Sequence, residues 1–197
     1  MSLVIPPKLI EQGVLTQHVS WKPYMGKALF YGRGAANRYD APDNSYGVLY
    51  LAHDLSTALM ESVFHKHQWH KVKKRTVSQG EIDQRLVRFV EATADLHLHL
   101  ADIATPNVVA SQFDLAQITS RRYARLQAMS KVIHGLSDAS GHPSFDGIYY
   151  PSRNNPSASC IALFDRASHK VSVALDLDLM QHKDWPPFVA TFRIALI

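Results

Sequence analysis

Several features that would place a protein in a particular compartment are scarce in this sequence. Cys160 is the one cysteine among 197 residues, which excludes an internal disulfide framework and favours a reducing compartment. No apolar run approaches the roughly 20 residues needed to span a bilayer, and the longest runs are short, as in Val48–Ala52. The first residues, Met1–Lys8, include two prolines and lack the apolar region of a secretory signal. We therefore expect a cytoplasmic protein with no membrane association.

Familiar catalytic and metal-binding motifs are missing as well. Ser152 has no GxSxG context, so a hydrolase triad finds no support, and Cys160 lies in an apolar run typical of an inert core thiol. The glycines of Gly32–Asn37 are similar to a dinucleotide-binding loop, but the Tyr39–Asp43 segment that follows contains Pro42 and cannot continue as a helix. No HExxH pattern occurs, so we expect no metal site, although several histidines lie close together in the sequence: His65, His67, His70, His97 and His99.

The composition is that of a folded globular protein with a mild positive charge. The apolar fraction is 46 % and the charged fraction is 19 %, which suits one well-buried domain spanning residues 1–197. The net charge of +4 favours anionic partners such as nucleotides, phosphates or nucleic acid. Lys66–Arg75 carries five Lys and Arg side chains and no acidic side chain. Such a segment is typical either of a solvated helix end and loop or of a surface that binds nucleic acid or an acidic partner.

The hydrophobic pattern predicts an α+β fold whose core is a mixed or antiparallel sheet. Val48–Ala52 is predicted to be a buried strand, followed by a helix capped by Asp54 or Ser56. Helices and strands alternate without the regularity of a doubly wound sheet. The other predicted strands are 86–91, 96–101, 147–150, 159–164 and 171–175; a second helix is predicted over 120–134, and 188–197 is predicted to be a last strand.

Three residues stand out in the first half of the chain. Tyr50 interrupts an aliphatic strand. Glu61 lies between apolar residues, about one turn into the predicted helix. A carboxylate in apolar surroundings is costly unless it is paired or used in function. Arg38, in the preceding loop, could supply the balancing charge. Each of the three also has an ordinary structural interpretation, and their order of loop Arg, strand Tyr and helix Glu favours the functional one.

Two separated motifs resemble the RES domain family. The first comprises Asn37–Pro42, Tyr46–Ala52 and Ala58–Glu61, and the second runs over Phe145–Arg153 after a helix ending in Ile133-His134. The resemblance covers residues 20–165, leaving 170–197 as a C-terminal extension. It implies a single domain similar in fold to the ADP-ribosyltransferases, with Arg38, Tyr50, Glu61 and Ser152 at the family's active-site positions.

The resemblance also implies a function. RES proteins include toxins that degrade NAD by hydrolysis or phosphorolysis and are held in check by an antitoxin with an Xre-like helix-turn-helix region. Glu61 would stabilise positive charge on the ribose, Arg38 would bind the pyrophosphate, Tyr50 would orient nicotinamide, and Ser152 would bind its ribose. No prosthetic group is expected; NAD is the substrate, and inorganic phosphate is a candidate co-substrate.

Three basic residues are candidates for further contacts to the phosphates. Arg33 and Lys22 could assist Arg38, and Arg153 is a further candidate with an equally good surface interpretation. Many RES members carry an additional Arg near the start of the domain, where this chain has Trp21-Lys22. A lysine contacts phosphate as a point charge and lacks the two-pronged geometry of arginine.

Two rival functions remain at the level of sequence. A mono-ADP-ribosyltransferase would pass ADP-ribose to a protein or nucleic acid instead of releasing it. A non-catalytic binding module would use Lys66–Arg75 on nucleic acid, but the chain lacks the aromatic-interleaved basic strands of common RNA-binding modules. We therefore expect NAD cleavage and no direct nucleic-acid binding.

Overall fold

The computed structural model describes residues 5–65, 75–93, 98–104 and 114–197. Most of the Lys66–Arg75 segment, together with His67, His70 and His97, lies outside the described residues. Within the described part of the chain no helix is long and apolar enough to cross a membrane. The fold class is α+β, as the hydrophobic pattern predicts.

The strands of the described chain are β1 (Pro7–Ile10), β2 (Leu15–Trp21), β3 (Val48–Ala52), β4 (Thr76–Val77), β5 (Arg85–Ala92), β6 (Leu98–Asp102), β7 (Gly147–Pro151), β8 (Ser159–Phe164), β9 (Val171–Asp178) and β10 (Ala195–Leu196). Eight of them form one mixed, mainly antiparallel sheet in the order β1-β6-β7-β8-β3-β2-β5-β9. The pairing of β6 with β7 is parallel, and the other strand pairs of this sheet are antiparallel. β4 and β10 form a separate two-stranded sheet.

The helices are concentrated on one face of the main sheet. They are α1 (Leu55–Glu61), α2 (Gln79–Asp83), α3 (Leu115–Ile118), α4 (Tyr123–Gly135) and α5 (Trp185–Phe192), with short 3-10 helices at Lys22–Tyr24, Asp165–Lys170 and Leu179–Gln181. The larger core cluster joins this face of the sheet to buried residues of α1, α4 and α5, and a smaller cluster covers the other face.

Strand β3 lies at the centre of the fold and is buried on both faces. Val48 and Ala52 belong to the larger core cluster, whereas Leu49 and Leu51 belong to the smaller one. Alternate residues of a strand point to opposite faces, and a strand covered on both faces needs an apolar run without polar alternation. Tyr50 is therefore directed to the helical face, the same face on which α1 packs.

The helix predicted over 120–134 is present as α4, which begins at Tyr123 and ends at Gly135. The segment 188–197 is predicted to be a strand, but α5 occupies Trp185–Phe192 and only Ala195–Leu196 is extended. Prolines in the first helical turn cost no hydrogen bond there, and Phe188 and Phe192, one turn apart, bring their ring centroids to 4.8 Å.

The C-terminal segment is integrated into the fold. β9 pairs with β5 over most of its length and forms one edge of the main sheet. Trp185 and Phe188 of α5 are 3 % and 2 % exposed and belong to the larger core cluster. Phe188 also packs on Phe64, just beyond α1, with 5.5 Å between the ring centroids. Residues 170–197 thus help to hold the end of α1 in place.

Candidate active site

A cleft of about 700 Å³ opens where strands β2 and β3 separate. β2 pairs with β5 over seven residue pairs, but its described pairing with β3 is limited to Gln17 and Ala52. Beyond that pair, the space between the strands is lined by His18 of β2, Tyr50 of β3 and Glu61 of α1. The interrupted pairing therefore places the cleft beside the first sequence motif.

Helix α1 carries Glu61 to the wall of this cleft. Its N-terminus is capped by Asp54, whose carboxylate accepts hydrogen bonds from the Thr57 backbone N–H and hydroxyl, each at 2.8 Å. Its apolar residues are buried, and Leu55 and Leu59 are fully so. Glu61 is the last residue of the helix, where a negative charge is opposed by the helix dipole. The carboxylate is stabilised there by partners outside the helix.

One oxygen of Glu61 accepts three hydrogen bonds from the loop that follows β7. Its Oε1 accepts from the Ser152 hydroxyl at 2.7 Å, the Arg153 backbone N–H at 3.0 Å and the Asn154 backbone N–H at 3.1 Å. The loop is itself tied to α1, because the Asn154 side chain donates to the Met60 carbonyl at 2.9 Å. The two sequence motifs therefore meet directly at Glu61.

The other oxygen of Glu61 is paired with Arg38. Arg38 Nη2 lies 3.3 Å from Glu61 Oε2, and the arginine is only 5 % exposed. Its guanidinium carbon lies 5.4 Å from the centroid of the Tyr150 ring, within the range of a cation–π contact. Arg38 Nη1 is buried and has no hydrogen-bond partner among the described residues. A buried donor of this kind is costly unless a ligand or water satisfies it.

The loop that carries Arg38 is fixed by an aspartate and a tyrosine. Asp40 Oδ2 accepts hydrogen bonds from the Ala36 and Asn37 backbone N–H groups at 3.0 and 2.8 Å. Its Oδ1 accepts from the Tyr50 hydroxyl at 2.9 Å, and that hydroxyl accepts in turn from the Tyr39 N–H at 2.9 Å. Burial, with the neighbouring Asp40 charge, raises the pKa of Tyr50 well above its usual value of 10. Tyr50 therefore holds the loop as a neutral phenol.

Helix α4 also secures this loop. The Gln127 side chain donates to the Ala35 and Asn37 carbonyls at 2.8 and 3.0 Å, and the Ser130 hydroxyl donates to the Tyr39 carbonyl at 2.7 Å. Ser130 is fully buried, so this bond is shielded from water. Two independent sets of contacts thus fix the backbone on either side of Arg38.

His18 is a neutral histidine in the cleft wall. Burial lowers its pKa below the usual 6.5. Its Nδ1 lies 3.0 Å from the Tyr50 carbonyl oxygen, and because a carbonyl can only accept, Nδ1 carries the proton. This bond links β2 to β3 next to the end of their pairing, and it leaves Nε2 as a hydrogen-bond acceptor.

The sequence-predicted residues separate into two groups. Arg38, Tyr50, Glu61 and Arg153 line the cleft, and Ser152 joins them through its hydrogen bond to Glu61. The Ser152 hydroxyl also accepts from the Asn155 N–H at 2.9 Å. The hydroxyl proton of Ser152 is donated to the Glu61 carboxylate and is therefore not available to a ribose.

The two remaining candidates, Arg33 and Lys22, lie in ion pairs elsewhere. Arg33 pairs with Asp165, and Lys22 Nζ lies 3.0 Å from Asp178. Neither belongs to the described residues that line the cleft. Their charges are already compensated by these carboxylates, so contact with a phosphate in the cleft would require the pairs to break.

Several residues at the site were not predicted from the sequence. Arg85, at the start of β5, and Arg121, just before α4, both line the cleft. Asn154 contributes a backbone N–H, which carries no side-chain signal. Arg85 could have been singled out as a charge beginning a strand of buried apolar residues, whereas Arg121 lies in a polar stretch that offers no such contrast.

Among the described residues, no group of three or more His, Cys, Asp or Glu side chains could hold a metal ion. His65 lines the cleft and its Nδ1 contacts the Ser62 carbonyl. Cys160 is 1 % exposed, and burial raises the pKa of its thiol strongly. It is therefore a protonated core thiol.

Comparison with known proteins identifies the family of this chain. The family model for the RES domain matches residues 13–186. Among solved structures, the chain is similar to one from the crystal structure of the M. tuberculosis MbcT-MbcA toxin-antitoxin complex, with a TM-score of 0.60, 14 % sequence identity and 86 % of each chain covered. No curated protein sequence matches significantly. Because the family match spans most of the chain and both motifs, the protein belongs to the RES domain family.

Proposed function

We propose that this protein cleaves the bond between nicotinamide and ribose in NAD. The observation that carries the proposal is the Glu61 carboxylate, which is held by fixed donors beside a buried arginine in a cleft large enough for a nucleotide. A ligand site of this kind combines a concave pocket with a few convergent polar groups. The observed RES membership supports the same reaction.

The chemistry needs a fixed negative charge. When the C–N bond breaks, its electron pair leaves with nicotinamide, and the ribose carbon acquires oxocarbenium character. Glu61 stabilises that cation without reorganising, because Ser152 and the loop N–H groups already orient its carboxylate. Attack by water gives ADP-ribose and releases a proton, whereas attack by inorganic phosphate gives ADP-ribose 1″-phosphate.

Arginine side chains complete the substrate site. Arg38 Nη1 and the Nε and Nη1 atoms of Arg153 are buried and lack partners among the described residues, and both side chains line the cleft. Guanidinium groups bind pyrophosphate oxygens through paired N–H donors. In this proposal Arg38 and Arg153 bind the pyrophosphate, the Tyr50 ring orients nicotinamide, and Ser152 acts through Glu61.

The test is incubation of the purified protein with NAD, with and without inorganic phosphate. We expect release of nicotinamide, and the second product identifies water or phosphate as the acceptor. NAD labelled in its adenylate half distinguishes the rival transferase, because label retained on a protein or nucleic acid requires a macromolecular acceptor. Absence of nicotinamide release under all these conditions would refute the proposal.

We further propose that the protein is the toxin of a toxin–antitoxin pair and acts in the cytoplasm. The similarity to a chain of the MbcT-MbcA complex supports this, and an Xre-like helix-turn-helix protein is the expected partner. Expression of the chain alone should deplete cellular NAD and stop growth, and co-expression of the protein encoded by the neighbouring gene should restore both. Growth arrest without NAD depletion would contradict this role.

A further inference from the structure

A second cavity of about 320 Å³ adjoins the cleft, and we call it the annexe. The two spaces share part of their walls and therefore adjoin each other; the shared residues are His18, Val19, Asn37, Tyr50 and Arg85. The annexe also has walls of its own, from Trp21 at the end of β2 and from Tyr24 and Phe30 in the segment before β3. The annexe therefore lies along β2, and Glu61 is not among the described residues that line it.

Three exposed aromatic side chains line the annexe. Trp21 is 41 % exposed, Tyr24 is 46 % exposed and Phe30 is 73 % exposed. Large exposed rings that surround one recess mark a site for binding an apolar or aromatic group. Neither the core nor the sheet needs Phe30 in this position, because its side chain is mostly in solvent.

An arginine stands at the boundary between the annexe and the cleft. The Arg85 guanidinium carbon lies 3.4 Å from the centroid of the Trp21 ring, and its Nη2 lies 2.7 Å from Glu81. Arg85 Nε is buried without a partner among the described residues. The two adjoining spaces thus present a carboxylate in the cleft, a guanidinium with an unpaired N–H donor at their shared wall, and a set of aromatic rings in the annexe.

We propose that the annexe binds the adenine ring of the dinucleotide, with Arg85 beside the phosphates that connect the two halves. This rests on the proposed function, and it assigns the end of the substrate that does not react. Base rings stack on aromatic side chains irrespective of sequence, and arginine over such rings adds a cation–π contribution. The annexe makes the enzyme selective for NAD over nicotinamide mononucleotide, which has the same scissile bond and lacks adenine.

The kinetic test compares the two substrates in the wild type and in Phe30→Ala. In the wild type we expect KM for nicotinamide mononucleotide to exceed KM for NAD by at least tenfold. Loss of one stacking ring should raise KM for NAD by roughly tenfold and reduce the ratio of the two KM values. Val132→Ala is the matched control, because Val132 is 54 % exposed on α4 and should leave both KM values unchanged.

A binding test separates this inference from the proposed reaction. Calorimetric titration with AMP needs no turnover; we expect AMP to bind the wild type and to bind Phe30→Ala and Tyr24→Ala at least fivefold more weakly. If AMP binding depends on these rings and neither substrate is cleaved, the proposed function fails and the adenine site stands. Equal KM values for both substrates, or AMP affinity that is unchanged in both variants, would overturn the adenine site and favour a partner protein as the occupant of the annexe.

Discussion

Replacing Glu61 with glutamine is the most direct test of the proposed chemistry, because it removes the charge and preserves the shape of the side chain. The amide oxygen of Glu61→Gln can still accept from the Ser152 hydroxyl and the two loop N–H groups that now contact Oε1. The amide nitrogen then replaces Oε2 and faces Arg38 Nη2, which lies 3.3 Å from that position. A donor meets a donor, and Arg38 loses its counter-charge.

The magnitudes follow from these contacts. Removing a preorganised electrostatic contact to the developing transition state costs about 10²- to 10³-fold in kcat, or about 3–4 kcal/mol. The free energy of unfolding should fall by about 1–3 kcal/mol, because Arg38 remains buried with an unpaired donor while the three bonds to the loop persist. A far larger loss of stability would indicate that the charge is mainly structural.

The assay is the rate of nicotinamide release at saturating NAD, with urea denaturation measured on the same preparations. Glu91→Gln is the matched control, since Glu91 is a half-buried glutamate of β5 that contacts Ser172 at 3.4 Å, away from the cleft. It should retain wild-type kcat. If Glu61→Gln is folded and keeps more than about a third of wild-type kcat, the electrostatic role of Glu61 is refuted.

Three further predictions address the supports of the site and its pH dependence. Ser152→Ala should lower kcat about 10-fold or more, because a hydrogen bond to a charged group is lost, whereas Ser157→Ala, at an exposed hydroxyl of the same loop, should not; equal kcat in both would contradict this. Tyr50→Phe leaves Asp40 Oδ1 and an N–H without this partner, so urea denaturation should show a loss of about 1–3 kcal/mol, and KM for NAD should rise. Burial lowers the pKa of His18, so the unfolded chain binds this proton first as pH falls below about 6.5. The free energy of unfolding should therefore decrease from pH 7 to pH 5, and less steeply in His18→Gln; parallel slopes would contradict this.

Elements defined by apolar runs could be predicted well from the sequence. The strands Val48–Ala52, Ser159–Phe164 and Gly147–Pro151 pair side by side at the centre of the sheet, where burial on both faces demands unbroken apolar sequence. The C-terminal segment was harder, because the aromatic residues of α5 have high strand propensity in isolation. Its helix depends on packing of Phe188 against Phe64, more than 120 residues away, and such a contact has no local signal.

The site shows the same division between local and non-local information. Arg38, Tyr50 and Glu61 stand out because a charge or hydroxyl in apolar surroundings is costly, and the structure brings them to one cleft. The separation of β2 from β3 determines where that cleft opens. Because it depends on how two distant segments pair, it has no local signal in the sequence. The loop N–H groups on Glu61 are backbone atoms, so no residue type identifies them.

The two oxygens of Glu61 are not equivalent, and this difference indicates how substrate meets the carboxylate. Oε1 accepts three hydrogen bonds, which fills the lone-pair positions of a carboxylate oxygen. Oε2 accepts one described bond, from Arg38 at 3.3 Å, which is long for a charged pair. In the proposed reaction, a ribose hydroxyl or the developing cation would therefore meet Oε2 and not Oε1. Glu61→Gln places its amide nitrogen at that same position, which is why removing the charge should reduce kcat much more than it reduces stability.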